Sequence, residues 1–298
     1  MSKSILLTGA TGLIGRAIVT KLSSQHKIVA VSRDPARAQR LFSDTPELTC
    51  VSLDEIDNLD AYHAVINLAG EPIADKRWTE AQKEKICNSR WEITEKLAKL
   101  ILQAEQPPIF ISGSAVGIYG RQGNTPINET FIDYHQEFSH DVCKKWEDIA
   151  LQANNTRVCI LRTGIVLSEH GGALSKMLIP FRLGLGGPIA DGKQFMSWIH
   201  IEDMVNGILF LLNNQSCNGV YNFTAPNPHT NEYFSLWLAR RLQRPCFFRV
   251  PAFVLKTLMG ESADLVLTGQ KVIPQRLLDA GFEFQYPTLI EAFKGLDI

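Results

Sequence analysis

The stretch Thr8-Gly9-Ala10-Thr11-Gly12-Leu13-Ile14-Gly15 follows directly on the apolar run Ser4-Ile5-Leu6-Leu7, and it restricts the fold of the chain more than any other segment. Gly9, Gly12 and Gly15 separate a strand-like run from an amphipathic pattern with apolar positions at Leu13, Ile14, Ala17, Ile18 and Leu22. A turn of this kind lets backbone N–H groups approach a pyrophosphate, and the helix N-terminus behind it adds a partial positive charge. Glycines serve tight turns for steric reasons alone. Here the setting decides, because a second strand-like run, Lys27 to Ser32, completes a βαβ unit. The turn therefore predicts a bound dinucleotide, with Gly9, Thr11, Gly12, Leu13, Ile14 and Gly15 around its diphosphate.

Further short apolar runs alternate with helical patterns: Leu48 to Leu53, Ala64 to Asn67, Ile109 to Ser112 and Val158 to Leu161. Such alternation predicts an α/β protein with a Rossmann-type doubly wound parallel sheet, whose ligands bind beyond the carboxyl ends of the strands. Residues 1–170 are assigned to this dinucleotide-binding domain, with segments near 197–228 returning to it. Residues 171–298 form mainly a small mixed substrate or cap domain. Its helices are predicted at Phe234 to Leu242, Ala252 to Met259, Gln275 to Ala280 and Leu289 to Phe293, with Phe247 to Val250 extended.

Charge excludes some partners. The formal net charge of −1, without any block of like charges, gives no footprint for nucleic acid or an anionic membrane, so a small molecule is the expected partner. The six cysteines have no C-x-x-C pair or metal-like spacing and read as reduced thiols. No signal peptide or bilayer-spanning run is legible, which predicts a cytoplasmic protein; the oligomeric state is left open.

The end of the second strand bears on which cofactor is bound. An Asp or Glu there would accept from the ribose 2′-OH of NAD, but this chain has Ser32-Arg33, which suits the 2′-phosphate of NADP(H). The competing assignment gives the ribose to Asp34. After the fourth strand, Leu68, Ala69 and Gly70 are small or apolar enough for the backbone to pass close to the adenosine ribose and pyrophosphate, although Gly70 also suits a plain turn. Thr79 is a candidate N-cap for a long helix to Gln103. Within it Arg90 lies near the apolar stripe of Ile86, Ile93 and Leu97, and a buried guanidinium needs a partner. That partner is either an internal carboxylate or an anion of the cofactor or substrate.

Several of these segments, with Ser114-Ala115 ending in Tyr119-Gly120 and with Trp198-Ile199-His200-Ile201-Glu202-Asp203, resemble the extended short-chain dehydrogenase/reductase family. Gly70-Glu71-Pro72-Ile73, Ser89-Arg90-Trp91, Pro180 to Pro188 and Gly269 to Arg276 are similar to its YfcH-like branch of NAD-dependent epimerase/dehydratase proteins, essentially end to end. The resemblance implies that Arg90 contacts the cofactor, that Ser112 lies beside it, and that Thr163 and the Val166 backbone hold the nicotinamide carboxamide. It also implies a Tyr-x-x-x-Lys pair on the helix after the fifth strand, yet those positions are Ser139 and Cys143 here. A one-residue shift to His140 and Lys144 restores only the spacing.

Ser114 and Tyr119 remain as catalytic candidates. Met177, Phe181, Phe195, Met196 and Trp198, with Arg182, are candidates for an apolar substrate pocket or for ordinary interdomain core, and Gly184, Gly186 and Gly187 mark a loop expected over the site. Asp203 reads as complementing a helix dipole, and no residue pairs with His200 at metal-ligand spacing, so no metal is expected. The sequence thus predicts an atypical NADP(H)-dependent reductase or epimerase of an unidentified carbonyl or hydroxyl compound. The alternative is a non-catalytic NADP(H)-binding redox sensor or assembly partner.

Overall fold

The computed structural model describes residues 3–298. Its centre is a parallel sheet of seven strands: β1 (Ser4–Thr8), β2 (Lys27–Val31), β3 (Leu48–Val51), β4 (Ala64–Asn67), β5 (Ile109–Ala115), β6 (Val158–Thr163) and β7 (Gly219–Phe223). Their spatial order is 3-2-1-4-5-6-7. The order reverses between β1 and β4, which places the ligand crevice over the glycine turn.

Side-chain alternation explains why these strands are covered on both faces. Ile5 and Leu7 of β1 point to one face, where α1 (Leu13–Leu22) packs with α6 (Ile201–Asn213) through Ile18, Val19, Met204 and Ile208. Leu6 points to the other, against α3 (Glu80–Gln103) and α4 (Phe138–Ala150) through Leu97, Ile101 and Ala150. Burial on both faces is what near-continuous apolar strands require. The register aligns Thr8 with Val31 and Asn67, Asn67 with Ser112, and Ala115 with Thr163. The carboxyl edge is thereby one continuous rim.

Thr79 caps α3 as expected, its hydroxyl accepting the N–H of Gln82. β3 stops at Val51 because Ser52 opens a capping box with Glu55 around a short 3-10 turn. α2 (Pro35–Leu41) follows β2. Segment 201–223 adds α6 and the edge strand β7 to the sheet half, and β7 was not among the expected strands. The remainder carries α5 (Gly172–Arg182), α7 (Asn231–Arg241) and α8 (Ala252–Met259), built around Leu174, Leu178, Phe181, Trp198, Phe234 and Phe293. α7 begins three residues before the predicted start, since Thr230 caps it by accepting the N–H of Tyr233. Of the predicted extended run Phe247 to Val250, only Val250 forms a bridge, to Ile189.

Candidate cofactor-binding site

The glycine turn is a cradle that side chains would fill. Gly9 has φ +73°, and a Cβ on it would stand 2.7 Å from the Leu68 carbonyl; one on Gly15 would stand 2.2 Å from the Gly9 oxygen. The Gly12 N–H donates to the Gly9 carbonyl at 3.0 Å, and Gly12 then caps α1 without a side chain. Among the described residues, the N–H groups of Leu13, Ile14 and Gly15 find no acceptor. They form an anion-binding terminus with Thr11 and Gly12 exposed at its mouth. Thr8 fixes the opposite wall: its hydroxyl donates to Asn67 Oδ1 at 2.7 Å and accepts from the N–H groups of Leu68 and Ala69. Asn67 donates in turn to Thr94, which also accepts the Trp146 indole N–H.

At the end of β2 the roles of neighbours separate. Asp34 is the N-cap of α2, its carboxylate accepting the Arg37 N–H at 2.9 Å. Arg33 is exposed and, among the described residues, makes no hydrogen bond or ion pair. It lies near Glu71, whose carboxyl is held below its ordinary range: burial pushes it up, but Lys85, Gln82, Lys76 and Arg33 together outweigh burial.

Inside the protein Arg90 is bonded to backbone carbonyls. Its guanidinium donates to the carbonyls of Ile86 and Glu71 at 2.9 and 3.0 Å, and stacks over Trp146 at 5.3 Å. No carboxylate lies within ion-pair distance among the described residues, and burial lowers the affinity of Arg90 for its proton. Gly70 is pressed against it, with only 2.9 Å between Arg90 Cζ and the place of a Cβ. Arg90 is thus a largely buried cation whose hydrogen bonds go to neutral carbonyls.

Beneath the rim of β5 and β6 lies a cluster not foreseen from the sequence. Arg162 forks onto Glu147 through two hydrogen bonds of 2.9 and 2.8 Å, and both side chains are about 5% exposed. Burial alone would lower the Arg162 pKa, but the Glu147 carboxylate outweighs it and raises it. Ser114 donates to Glu147 at 2.7 Å, and Tyr119 accepts from Arg162 at 3.0 Å while donating to Asn222 Oδ1 at 2.7 Å. Tyr119 is completely buried, and its pKa is pushed up to about 12, chiefly by burial. The Tyr119 hydroxyl, like that of Ser114, is thus bonded inside the fold.

The description of the NAD dependent epimerase/dehydratase family matches residues 5–223, and a second, a domain of unknown function (DUF1731), matches residues 250–296. The chain belongs to the NAD dependent epimerase/dehydratase family. It is 37% identical to human epimerase family protein SDR39U1, covering 98% of this chain and 99% of the relative. It is 38% identical to the chloroplastic SDR39U1 homologue of Arabidopsis thaliana, covering 98% of this chain and 86% of that protein. The solved structure of human SDR39U1 (isoform 2) with NADPH superposes with a TM-score of 0.90 at 36% identity over 98% of each chain. The UDP-glucuronic acid 4-epimerase of Bacillus cereus, at 16% identity and a TM-score of 0.76, shares the fold.

The family's usual catalytic pair has no counterpart on α4. Ser139 donates to Glu137, and Cys143 is fully buried, its thiol pushed up to about 11 by burial and by Glu147. His140 and Lys144 do not form a pair either: the imidazole Nδ1 sits 2.6 Å from the Ile118 carbonyl, while Lys144 reaches Asp148 on the exposed side. On the other flank, Thr163 and Val166 are half-buried at the rim, Gly164 being pinned against the Ser197 carbonyl. Ser112 is fully buried in β5.

Phe181, Met196 and Trp198 are core rather than pocket lining, while Met177 and Phe195 are half-buried and Arg182 is exposed. The loop at Gly184, Gly186 and Gly187 is not free-standing: Gly187 is packed on the Phe248 carbonyl and Gly186 on the Phe181 ring. Asp203 does more than complement a dipole, since its buried carboxylate accepts the N–H groups of Gln285 and Tyr286 at 2.7 and 2.9 Å. His200 caps α6 through Nδ1, which accepts the Glu202 N–H at 3.2 Å. Among the described residues no group of three metal-ligating side chains occurs, and no helix is long and apolar enough to cross a membrane.

Proposed function

We propose that this protein binds NADP(H) across the carboxyl edge of its sheet and acts as a reductase or epimerase on a carbonyl or hydroxyl compound. The carrying observation is the division of labour after β2: Asp34 is spent on a helix cap, while Arg33 stands unpaired beside Ser32. A ribose 2′-phosphate is the group that such a site accommodates, and the human relative solved with NADPH supports this reading. The diphosphate falls to the free N–H groups of Leu13, Ile14 and Gly15, with Gly9, Thr11 and Gly12 shaping the turn. Leu68, Ala69 and Gly70 pass under the adenosine ribose. Arg90 supplies the countercharge, and Thr163 with the Val166 backbone holds the carboxamide, above Ser112.

The bound cofactor supplies a hydride. The proton that completes the alcohol would come from water. Because Ser114 gives its own proton to Glu147, it offers lone pairs, and it orients the product hydroxyl by accepting from it. The test is consumption of NADPH with a panel of aldehydes and ketones, for wild type and Ser114→Ala. The expected result is turnover that falls about tenfold in the variant, the worth of one positioning hydrogen bond. Tight NADPH binding without turnover of any carbonyl would favour the non-catalytic sensor, a reading supported by Ser139 and Cys143 standing where the family's Tyr and Lys are expected.

A further inference from the structure

The open side of the crevice is framed by three polar ties. The loop leaving β4 is joined to α5 by the Asp75–Lys176 ion pair, and to α8 by Arg77, which donates to the Thr257 carbonyl at 2.7 Å. Lys83 of α3 pairs with Glu261, just beyond α8, at 2.6 Å. The other end of α5 abuts the glycine turn, Gly171 and Gly172 lying against the Leu13 side chain. The frame is therefore continuous with the cofactor site.

What this frame exposes is apolar. α5 buries Leu174, Leu178 and Phe181, and turns the stripe of Lys176, Ile179 and Leu183, spaced three and four apart, toward the loop. Ile179 and Leu183 are 65% and 70% exposed. α8 reads Ala-Phe-Val-Leu-Lys-Thr-Leu-Met, yet buries none of its side chains; Phe253 and Leu258 are 69% and 67% exposed. Phe248, whose carbonyl packs on Gly187 just after α5, is also exposed. Isolated exposed apolar residues are ordinary, but a set carried by two helices tied to the same loop marks a binding surface. The cations of the frame are already used: Lys176 on Asp75, Arg77 on a carbonyl, Lys83 on Glu261.

We infer that this apolar mouth receives the hydrocarbon part of the substrate, so that the compound turned over is a lipophilic carbonyl or alcohol rather than a sugar nucleotide. The inference rests on the reading of the site given above and names its substrate class. Arg182 and Lys256 are exposed and, among the described residues, form no ion pair, which makes an anionic bilayer the rival occupant.

The test uses the full chain loaded with NADPH, and the double variant Leu183→Ser/Phe253→Ser. Dodecan-1-ol, titrated by calorimetry, is expected to bind wild type and to bind the variant about tenfold more weakly, while NADPH affinity stays unchanged. With butanal, octanal and dodecanal, kcat/KM is expected to climb about tenfold or more along the series, a trend that flattens in the variant. Absence of dodecanol binding, or equal binding by the variant, overturns the inference whether or not any aldehyde is reduced. Co-sedimentation with phosphatidylglycerol vesicles that the variant abolishes, without dodecanol binding, overturns it in favour of the bilayer. Failure to oxidise NADPH with every aldehyde, while dodecanol binds as stated, counts against the reductase reading alone.

Discussion

Arg162 and Glu147 form a buried ion pair, both side chains about 5% exposed, with Glu147 on the helix where the family's catalytic pair is expected. Two buried charges that satisfy each other cost little net, but removing one leaves the other stranded. Glu147→Gln is therefore expected to destabilise the fold by about 3 to 5 kcal/mol in urea unfolding. Tyr119→Phe is a milder case: it strips a partner from Asn222 and Arg162 and is expected to cost about 1 to 3 kcal/mol of stability. Turnover should stay at the wild-type level, because the hydroxyl points inward; a collapse of kcat with stability intact would restore Tyr119 to the catalytic set. The cluster was hard to read in the sequence for a physical reason. Arg162 sits among Cys159, Ile160, Leu161 and Thr163, and only the rule that a buried cation demands an anion flags it, without saying that Glu147 is the anion.

Elements were legible where periodicity and end signals agreed. β4 and α8 fall on their expected residues, and α3 starts after the cap named for it. Thr79→Ala is expected to cost about 1 kcal/mol, seen as a lower unfolding midpoint with an unchanged slope. β7 escaped because Gly219-Val220-Tyr221-Asn222-Phe223 opens on a glycine and lacks clean alternation; pairing with β6 decides it. The glycine turn was legible because its requirement is steric and local. Gly15→Ala forces a Cβ to 2.2 Å from the Gly9 carbonyl, so the turn must open, and NADPH affinity is expected to fall by at least about tenfold in calorimetry. The apolar mouth could not be anticipated, since Phe253 and Leu258 look like ordinary helix core until the packing shows nothing covering them.

At the scale of the whole molecule, the sheet half and the C-terminal helices are joined through buried polar groups that acid attacks. His200 is buried against Tyr286, with ring centroids 3.8 Å apart, and burial lowers its pKa from 6.5 to about 4. Its folded pKa lies below the unfolded one, so the unfolded chain binds the proton more readily. Stability is then full above pH 6.5 and declines as pH falls toward 4, by about 3 kcal/mol from this residue. Burial lowers the pKa of His26 and His63 in the same direction. Thermal melts across that range check the effect, and an unfolding temperature flat from neutrality to pH 4 would contradict it. Family and fold were thus readable end to end, while the substrate lies in surface complementarity that no motif encodes. Arg33, left free by the capping role of Asp34, is expected to select the phosphorylated dinucleotide. Calorimetric titration of wild type and Arg33→Ala with NADPH and NADH tests it most directly. Wild type should bind NADPH at least about tenfold more tightly than NADH, and the variant should lose that preference through NADPH alone. Equal affinities in wild type, or a preference untouched by the substitution, would contradict the account.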